Sequence, residues 1–148
     1  MPYSVNIQKR LVKSPKIYLR DSGILHAFKD LNRKEDLLDD ANAGASWEGF
    51  VIEQIISAAG ELQPFFYRTH QGTECDLLLE KNGKIKAAIE IKLSSAPRIE
   101  KGFYIAMDDL KPEKTFVIAP VKEAYPFQQN GWVLSLQVFL ENYLPQIS

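Results

Sequence analysis

The chain has 148 residues, a formal net charge of −1 and 45% hydrophobic residues. This size fits one domain, and the composition is typical of a folded globular protein, which excludes a disordered chain and a fibrous repeat. No apolar run approaches the roughly 20 residues that a membrane-spanning helix needs, so we expect no association with a membrane. The N-terminus has no apolar signal region, and Cys75 is the single cysteine. Both features predict a cytoplasmic protein without disulfides.

The first 45 residues are predicted to form a basic arm and a leading strand and helix, followed by a domain over residues 46–148. Residues 1–20 carry five basic side chains and no acidic one. Such an arm can contact nucleic acid, but a solvated face or a linker can carry the same charges, and the sequence leaves both open. A short strand is expected over residues 16–20, and a helix is expected to begin at Asp21 or Ser22.

The pattern along the rest of the chain predicts an α/β fold. Ser46 is a candidate N-cap for a buried helix over residues 47–59, whose apolar side chains cover more than half of its circumference. Aromatic and β-branched runs then predict strands over residues 65–70, 74–81, 85–93 and 115–119. A helix over residues 97–110 and a final strand and helix over residues 131–143 complete the order. We therefore expect a central mixed sheet flanked by helices.

The hairpin around Asn82-Gly83 decides which side chains share a face. A plain two-residue turn would place Asp76 opposite Ile89. A three-residue loop with a glycine bulge shifts the register by one residue and places Asp76 with Glu90 instead. In the shifted register one face is wholly apolar and consists of Cys75, Leu77, Leu79, Ile85, Ala87, Ile89 and Ile91. The hydrophobic pattern therefore favours the shifted register.

The opposite face of this hairpin carries Asp76, Glu90 and Lys92. Two carboxylates resist such proximity unless a cation or a proton lies between them. Together with a strand carbonyl they suit Mg²⁺ or Mn²⁺, and such an ion polarises a phosphodiester and activates a water molecule while a lysine stabilises the developing charge. A solvent-facing Glu/Lys pair on an edge strand is the structural alternative.

The buried helix offers a third carboxylate. Glu48 lies on its apolar stripe one turn before Ile52, where an unpaired acid is costly, whereas Glu53 lies beside Gly49 and Ser57 and can be solvated. We therefore predict Glu48 as the third metal ligand. The alternative is a first-turn acid that interacts with the helix dipole.

Taken together, Glu48, then Asp76, then Glu90-Ile91-Lys92 resemble the PD-(D/E)XK nuclease superfamily, the restriction-endonuclease-like fold. Most of the chain is also similar to a C-terminal domain of unknown function found on bacterial and archaeal AAA+ ATPases, through KSPKIYLRDSGIL (13–25), WEGFVIEQI (47–55), FYRTHQGTECDLLLEKNGK (66–84) and AIEIKLS (88–94). The resemblance implies a metal-dependent nuclease site and an ATPase partner module. Two departures are Cys75 at the position of the superfamily's proline and the absence of a P-loop, so no ATPase module is expected in this chain.

Two functions are compatible with these features. In the first, the domain hydrolyses phosphodiester bonds, with DNA as the expected substrate: Asp76 and Glu90 hold the ion, Glu48 completes its ligands, and Lys92 stabilises charge or orients water. In the second, a nuclease-fold domain with weak or no catalysis binds nucleic acid or protein and regulates an ATPase. The intact set of site residues favours the first. The near-neutral charge favours the second, because a DNA-cleaving surface normally carries several Lys or Arg contacts to phosphate. Arg68, Thr69 and His70 are further candidates for contact with a phosphate.

Overall fold

A computed structural model describes residues 9–12, 41–69, 73–128 and 130–148 of the chain. The strand predicted over residues 16–20, the helix predicted from Asp21 or Ser22, and His70 lie outside these ranges. The boundary predicted at residue 45 stays a prediction. The first described strand of the basic arm nevertheless pairs with the central sheet, and a helix runs across that boundary.

A mixed sheet forms the centre of the described part of the chain. Its seven strands are β1 (Lys9–Val12), β2 (Gln63–Thr69), β3 (Glu74–Lys81), β4 (Lys84–Ile91), β5 (Lys114–Ile118), β6 (Tyr125–Phe127) and β7 (Gly131–Leu134). They lie in the order β1-β2-β3-β4-β5-β7-β6. β1 to β4 pair antiparallel, β5 runs parallel to β4 and to β7, and β6 pairs antiparallel with β7. The predicted mixed sheet is therefore confirmed, whereas β1 and β6 were not predicted.

The helices are α1 (Ala41–Ala58), α2 (Lys101–Leu110), α3 (Leu136–Val138), a π-helical turn (Phe139–Tyr143) and α4 (Leu144–Ile147). None of these described helices is long and apolar enough to span a lipid bilayer. The last three follow one another directly, and Ser135 separates them from β7, in agreement with the strand and helix predicted over residues 131–143.

Two of the predicted helix starts are wrong. α1 begins at Ala41, so Ser46 lies inside the helix and does not cap it. The added turns are rich in alanine, which has the highest intrinsic helix propensity. α2 begins at Lys101 rather than at Pro97. The residues between them connect the end of β4 to the face of the sheet that α2 covers.

The sheet separates two apolar layers. On one face, α1 and the C-terminal helical segment cover Leu77, Leu79, Ala87, Ile89 and Ile91. On the other face, α2 covers Cys75, Leu78, Ile85 and Ala88. The hydrophobic pattern predicts Cys75 and Ile85 on the face of Leu77, whereas both lie on the α2 side of the sheet. Two β-bulges explain the difference.

The first bulge lies in β4. Leu79 pairs with Ala87 but Glu80 pairs with Ile85, so Lys86 is an extra residue without a partner in β3. The connection itself is a two-residue turn in which Asn82 and Gly83 have φ angles of 56° and 78°, and not the predicted three-residue loop. The one-residue shift demanded by the hydrophobic pattern is thus confirmed, but it is produced at Lys86. Beyond the bulge, Ile85 points to the α2 side.

The second bulge lies in β3, on its side towards β2. Phe65 pairs with Leu78 and Tyr67 pairs with Cys75, so Phe66 opposes both Asp76 and Leu77. The extra residue reverses the alternation, and Cys75 therefore packs on the α2 side. Bulges next to functional sites re-aim side chains, and this one lies at Asp76.

Candidate functional site

Asp76 and Glu90 lie where the ladder between β3 and β4 ends. The last regular pair is Leu77 with Ile89. One residue further, an Asp76 carboxylate oxygen accepts a hydrogen bond of 2.8 Å from the backbone N–H of Ile91. A side chain thus takes over a hydrogen bond that the backbone of β3 would otherwise make. This places the Asp76 carboxyl group at the strand end that carries Glu90.

The Glu90 carboxyl group is buried, with 6% of the residue exposed. Burial, a hydrogen bond to Asp76 and the negative charge of Asp76 raise its pKa from 4.5 to about 10. The nearby Lys92 ammonium lowers this pKa and the Glu74 carboxylate raises it, both by smaller amounts. At neutral pH Glu90 is therefore protonated and shares its proton with Asp76. Asp76 and Glu90 thus lie within hydrogen-bond distance of each other, on the strand pair where the shifted register predicts them as neighbours.

Lys92 follows the last residue of β4 and is half-buried. Its N–H donates a hydrogen bond of 2.9 Å to the carbonyl oxygen of Ile118 in β5. Its own carbonyl oxygen accepts a hydrogen bond of 3.1 Å from the indole N–H of Trp47 in α1. The backbone of Lys92 is therefore held from two sides. This fixes the point from which its side chain reaches towards Glu90, whose pKa it lowers.

Glu48, predicted as the third ligand, lies in α1, and its role stays a prediction. It is half-buried next to Trp47 in α1, and it has interactions of its own. Within the described ranges, no three His, Cys, Asp or Glu side chains are grouped so that they could hold a metal ion. Asp76 and Glu90 alone fit Mg²⁺ or Mn²⁺ as two carboxylate ligands, with water or substrate phosphate supplying the remaining oxygens.

Trp47 is the residue in this region that sequence reasoning missed as part of the site. It is nine-tenths buried, and its ring stacks on Phe50 at a centroid distance of 6.2 Å. The available signal was an indole at the start of the buried stripe of α1, since a buried Trp N–H usually finds a hydrogen-bond partner.

Two other residues, Arg68 and Thr69, are predicted to contact a phosphate, and they differ in their surroundings. Arg68 Nε lies 3.2 Å from a Glu74 carboxylate oxygen, and both side chains are mostly exposed. Thr69 is buried, and its hydroxyl oxygen accepts a hydrogen bond of 3.0 Å from the Thr73 N–H. Arg68 thus remains accessible in an ion pair with Glu74, whereas Thr69 is fixed by its hydrogen bond to Thr73.

Cys75 is a buried thiol with 2% exposure. Its sulfur lies 3.5 Å from the carbonyl oxygens of Leu77 and Ile89, to which the S–H can donate. Burial, then the charges of Glu90 and Asp76, raise its pKa well above the ordinary value. The thiol therefore stays protonated and packs in the apolar layer that α2 covers.

These features define an α/β domain with a mixed sheet and, at one end of that sheet, a proton-sharing carboxyl pair beside a lysine. The chain belongs to the family described as "Domain of unknown function (DUF4143)", which matches residues 43–139. It is 36% identical over 125 residues to an uncharacterized protein of Mycobacterium bovis and to one of Mycobacterium tuberculosis. The match covers 84% of this chain and 28% of each relative, so the chain spans less than a third of their length. No solved structure matches the chain.

Proposed function

We propose that this chain is a restriction-endonuclease-like domain that hydrolyses phosphodiester bonds of DNA with the help of Mg²⁺ or Mn²⁺. The observation that carries the proposal is the pairing of the half-buried Asp76 with the buried Glu90, whose raised pKa keeps a proton between the two carboxyl groups. A divalent cation can replace this proton, because it removes the repulsion between the two ionised carboxylates.

The proposal gives a distinct role to each of Asp76, Glu90 and Lys92. Asp76 and Glu90 hold the cation, and Glu90 loses its proton when the cation binds. When bound, the cation polarises the phosphodiester and lowers the pKa of an attacking water molecule. Lys92 stabilises the negative charge that develops on the phosphate, from a backbone position held by Trp47 and Ile118.

The order of the elements supports the restriction-endonuclease-like assignment. α1 precedes three antiparallel strands, and α2 then leads to β5, which is parallel to β4. This order accompanies the PD-(D/E)XK-like residue pattern of the sequence. We further propose an AAA+ ATPase module as the partner, since the relatives are more than three times as long as the matched segment and can contain such a module.

A second candidate is a domain with weak or no catalysis that binds nucleic acid or protein and regulates an ATPase. The grouping of acidic side chains favours it: among the residues that the structure describes, Asp76 and Glu90 have no third carboxylate grouped with them for a metal. A site with two carboxylates depends on the substrate to complete the ligands of the ion, which lowers its affinity for the ion alone.

A cleavage assay with matched lysine variants tests the proposal. Supercoiled plasmid is incubated with Mn²⁺ or Mg²⁺ and with the wild type, Lys92→Ala or Lys122→Ala. Lys122 is an exposed lysine of the segment before β6 and serves as the control. We expect nicking by the wild type and Lys122→Ala, and a loss of roughly 100-fold or more in Lys92→Ala, as for other groups that stabilise transition-state charge. Absence of cleavage with either ion would leave the regulatory module as the better function.

A further inference from the structure

A cationic pocket lies at the opposite end of β4 from the carboxyl pair. Its volume is about 610 Å³, and its lining includes Lys81, Asn82, Lys86, Glu113, Lys114 and Gln146. Lys86 precedes Glu90 by four residues, which at ~3.3 Å per strand residue separates the two backbones by about 13 Å. The pocket is therefore distinct from the site described above.

The lining of this pocket carries more positive than negative charge. Lys86 Nζ lies 3.1 Å from a Glu113 carboxylate oxygen, and both groups line the pocket. Lys81 pairs at 3.4 Å with Glu61, whose side chain is 84% exposed. Within the described part of the chain, no carboxylate lies within 4 Å of the Lys114 ammonium. Three lysine side chains thus line the pocket together with one carboxylate side chain, that of Glu113.

Fold stability alone does not favour this concentration of lysines. Lys81 and Lys84 pair directly across the Asn82-Gly83 turn, and like charges at directly opposed positions destabilise a hairpin. The Lys86 side chain is only 27% exposed, so its charge is partly removed from water. Exposed ion pairs contribute little in return. An anion bound beside Lys81 and Lys86 would reduce both costs.

The bulge in β4 positions one of the lysines that line this pocket. Lys86 is the extra residue of that bulge, and bulges re-aim the side chain that they carry. Glu113 approaches from the start of β5, where its N–H donates a hydrogen bond of 3.0 Å to the carbonyl oxygen of Ile85. Lys86 and Glu113 therefore take defined positions in the pocket wall.

We propose that this pocket binds a phosphate-bearing anion, either a small phosphate compound or the phosphodiester backbone of a nucleic acid. Several lysines around one cavity suit a multiply charged phosphate, because each ammonium acts as a point charge with rotatable donors. Asn82 also lines the pocket, and its side-chain amide can donate a hydrogen bond without a charge. The volume lies within the range of about 300–1,000 Å³ that is usual for ligand sites.

Calorimetric titrations in EDTA test the proposal without any contribution from a divalent cation. One series uses inorganic pyrophosphate and the other a single-stranded oligonucleotide. The proteins are the wild type, Lys86→Gln, Lys114→Gln and the control Lys122→Gln. We expect about tenfold weaker binding in each pocket variant and unchanged binding in the control. The affinity for the oligonucleotide should also fall more gently with salt in the pocket variants.

The two probes distinguish the source of the phosphate. Binding of pyrophosphate alone identifies a small ligand, and binding of the oligonucleotide alone or of both identifies a site that accepts a nucleic-acid backbone. The proposal is overturned if the wild type binds neither probe, or if both pocket variants bind as tightly as the wild type. Melting curves verify that each variant folds. If Lys86→Gln does not fold, Lys114→Gln still tests the proposal, because Lys114 is an exposed residue at the start of β5. Because no cleavage is measured, the result does not depend on the proposed nuclease activity.

Discussion

Trp47 donates its indole N–H to the carbonyl oxygen of Lys92 over 3.1 Å, although 45 positions separate the two residues in the chain. The adjoining N–H groups of Ile91 and Lys92 donate to Asp76 and Ile118, respectively. Partners in α1, β3 and β5 therefore hold the end of β4 at the residues of the Glu-Ile-Lys motif. Such support from a surrounding shell is what keeps a catalytic or binding group in a productive position.

Removal of the indole donor tests this support. Trp47→Phe keeps an aromatic ring beside Phe50 but leaves the Lys92 carbonyl oxygen without its donor. We expect a loss of about 1 kcal/mol in the free energy of unfolding, which lowers the melting temperature by a few degrees. Trp132→Phe is the matched control, since Trp132 is half-buried and packs on Tyr143 at a centroid distance of 6.1 Å. Equal melting temperatures of the two variants would argue against the role of the hydrogen bond.

Glu90→Gln should reduce the pH dependence of stability. The pKa of Glu90 is about 10 in the folded protein and 4.5 ordinarily, so the folded state binds this proton more tightly than the unfolded state. Its contribution to stability is complete below about pH 4.5 and is lost as the pH rises towards 10. Glutamine retains a donor for Asp76 and never ionises. We therefore expect the variant to melt above the wild type at pH 8 and close to it at pH 4.

Thermal melts across this pH range measure the difference, and Glu123→Gln, which alters an exposed carboxylate, is the control. Parallel curves for the wild type and Glu90→Gln would contradict a raised pKa of Glu90.

Binding of Mn²⁺ should stabilise the wild type more at pH 8 than at pH 5. The ion competes with the proton of Glu90, so its apparent affinity rises with pH and its binding releases a proton. At a hundredfold excess over Kd the gain is about 2.7 kcal/mol. Melting curves with and without Mn²⁺ measure it, and titration in two buffers of different ionisation enthalpy counts the released proton. Glu90→Gln should lose most of the gain, and identical wild-type curves with and without Mn²⁺ at pH 8 would speak against a metal site.

Two glycines should respond in opposite directions to substitution by alanine. A Cβ atom at Gly131 would lie 2.3 Å from the carbonyl oxygen of Phe127, so β6 and β7 would have to separate. A Cβ atom at Gly44 in α1 meets nothing within 4 Å. Urea unfolding should show a loss of more than about 1 kcal/mol for Gly131→Ala and a gain of roughly 0.5–1 kcal/mol for Gly44→Ala. A Gly131→Ala protein as stable as the wild type would contradict the close approach of the two strands.

Local patterns were sufficient for the central hairpin. The strand predicted over residues 74–81 coincides with β3, because an apolar run ends there at the strong turn signal Asn82-Gly83. The same pattern required a register shift of one residue, since only that shift placed most of the apolar side chains on a buried face. Pairing of Asp76 with Glu90 followed from this requirement.

The position of the shift was decided by the tertiary structure. A bulge at Lys86 and a three-residue loop satisfy the alternation near Asp76 equally well, and they differ only in the face given to Ile85. That choice depends on α2, which covers Ile85 from the other side of the sheet. The bulge at Asp76 depends likewise on β2, whose pairing with β3 the local pattern of β3 does not contain.

The tertiary structure also decided that Trp47 of α1 reaches the end of β4. The apolar stripe showed that this helix packs on the sheet, and it made Glu48 the candidate contact. Neighbouring helix residues point about 100° apart around the axis, so a modest rotation of the helix determines which of them reaches the strand end. Packing of the whole apolar stripe sets that rotation, and it brings the Trp47 indole to the Lys92 carbonyl oxygen.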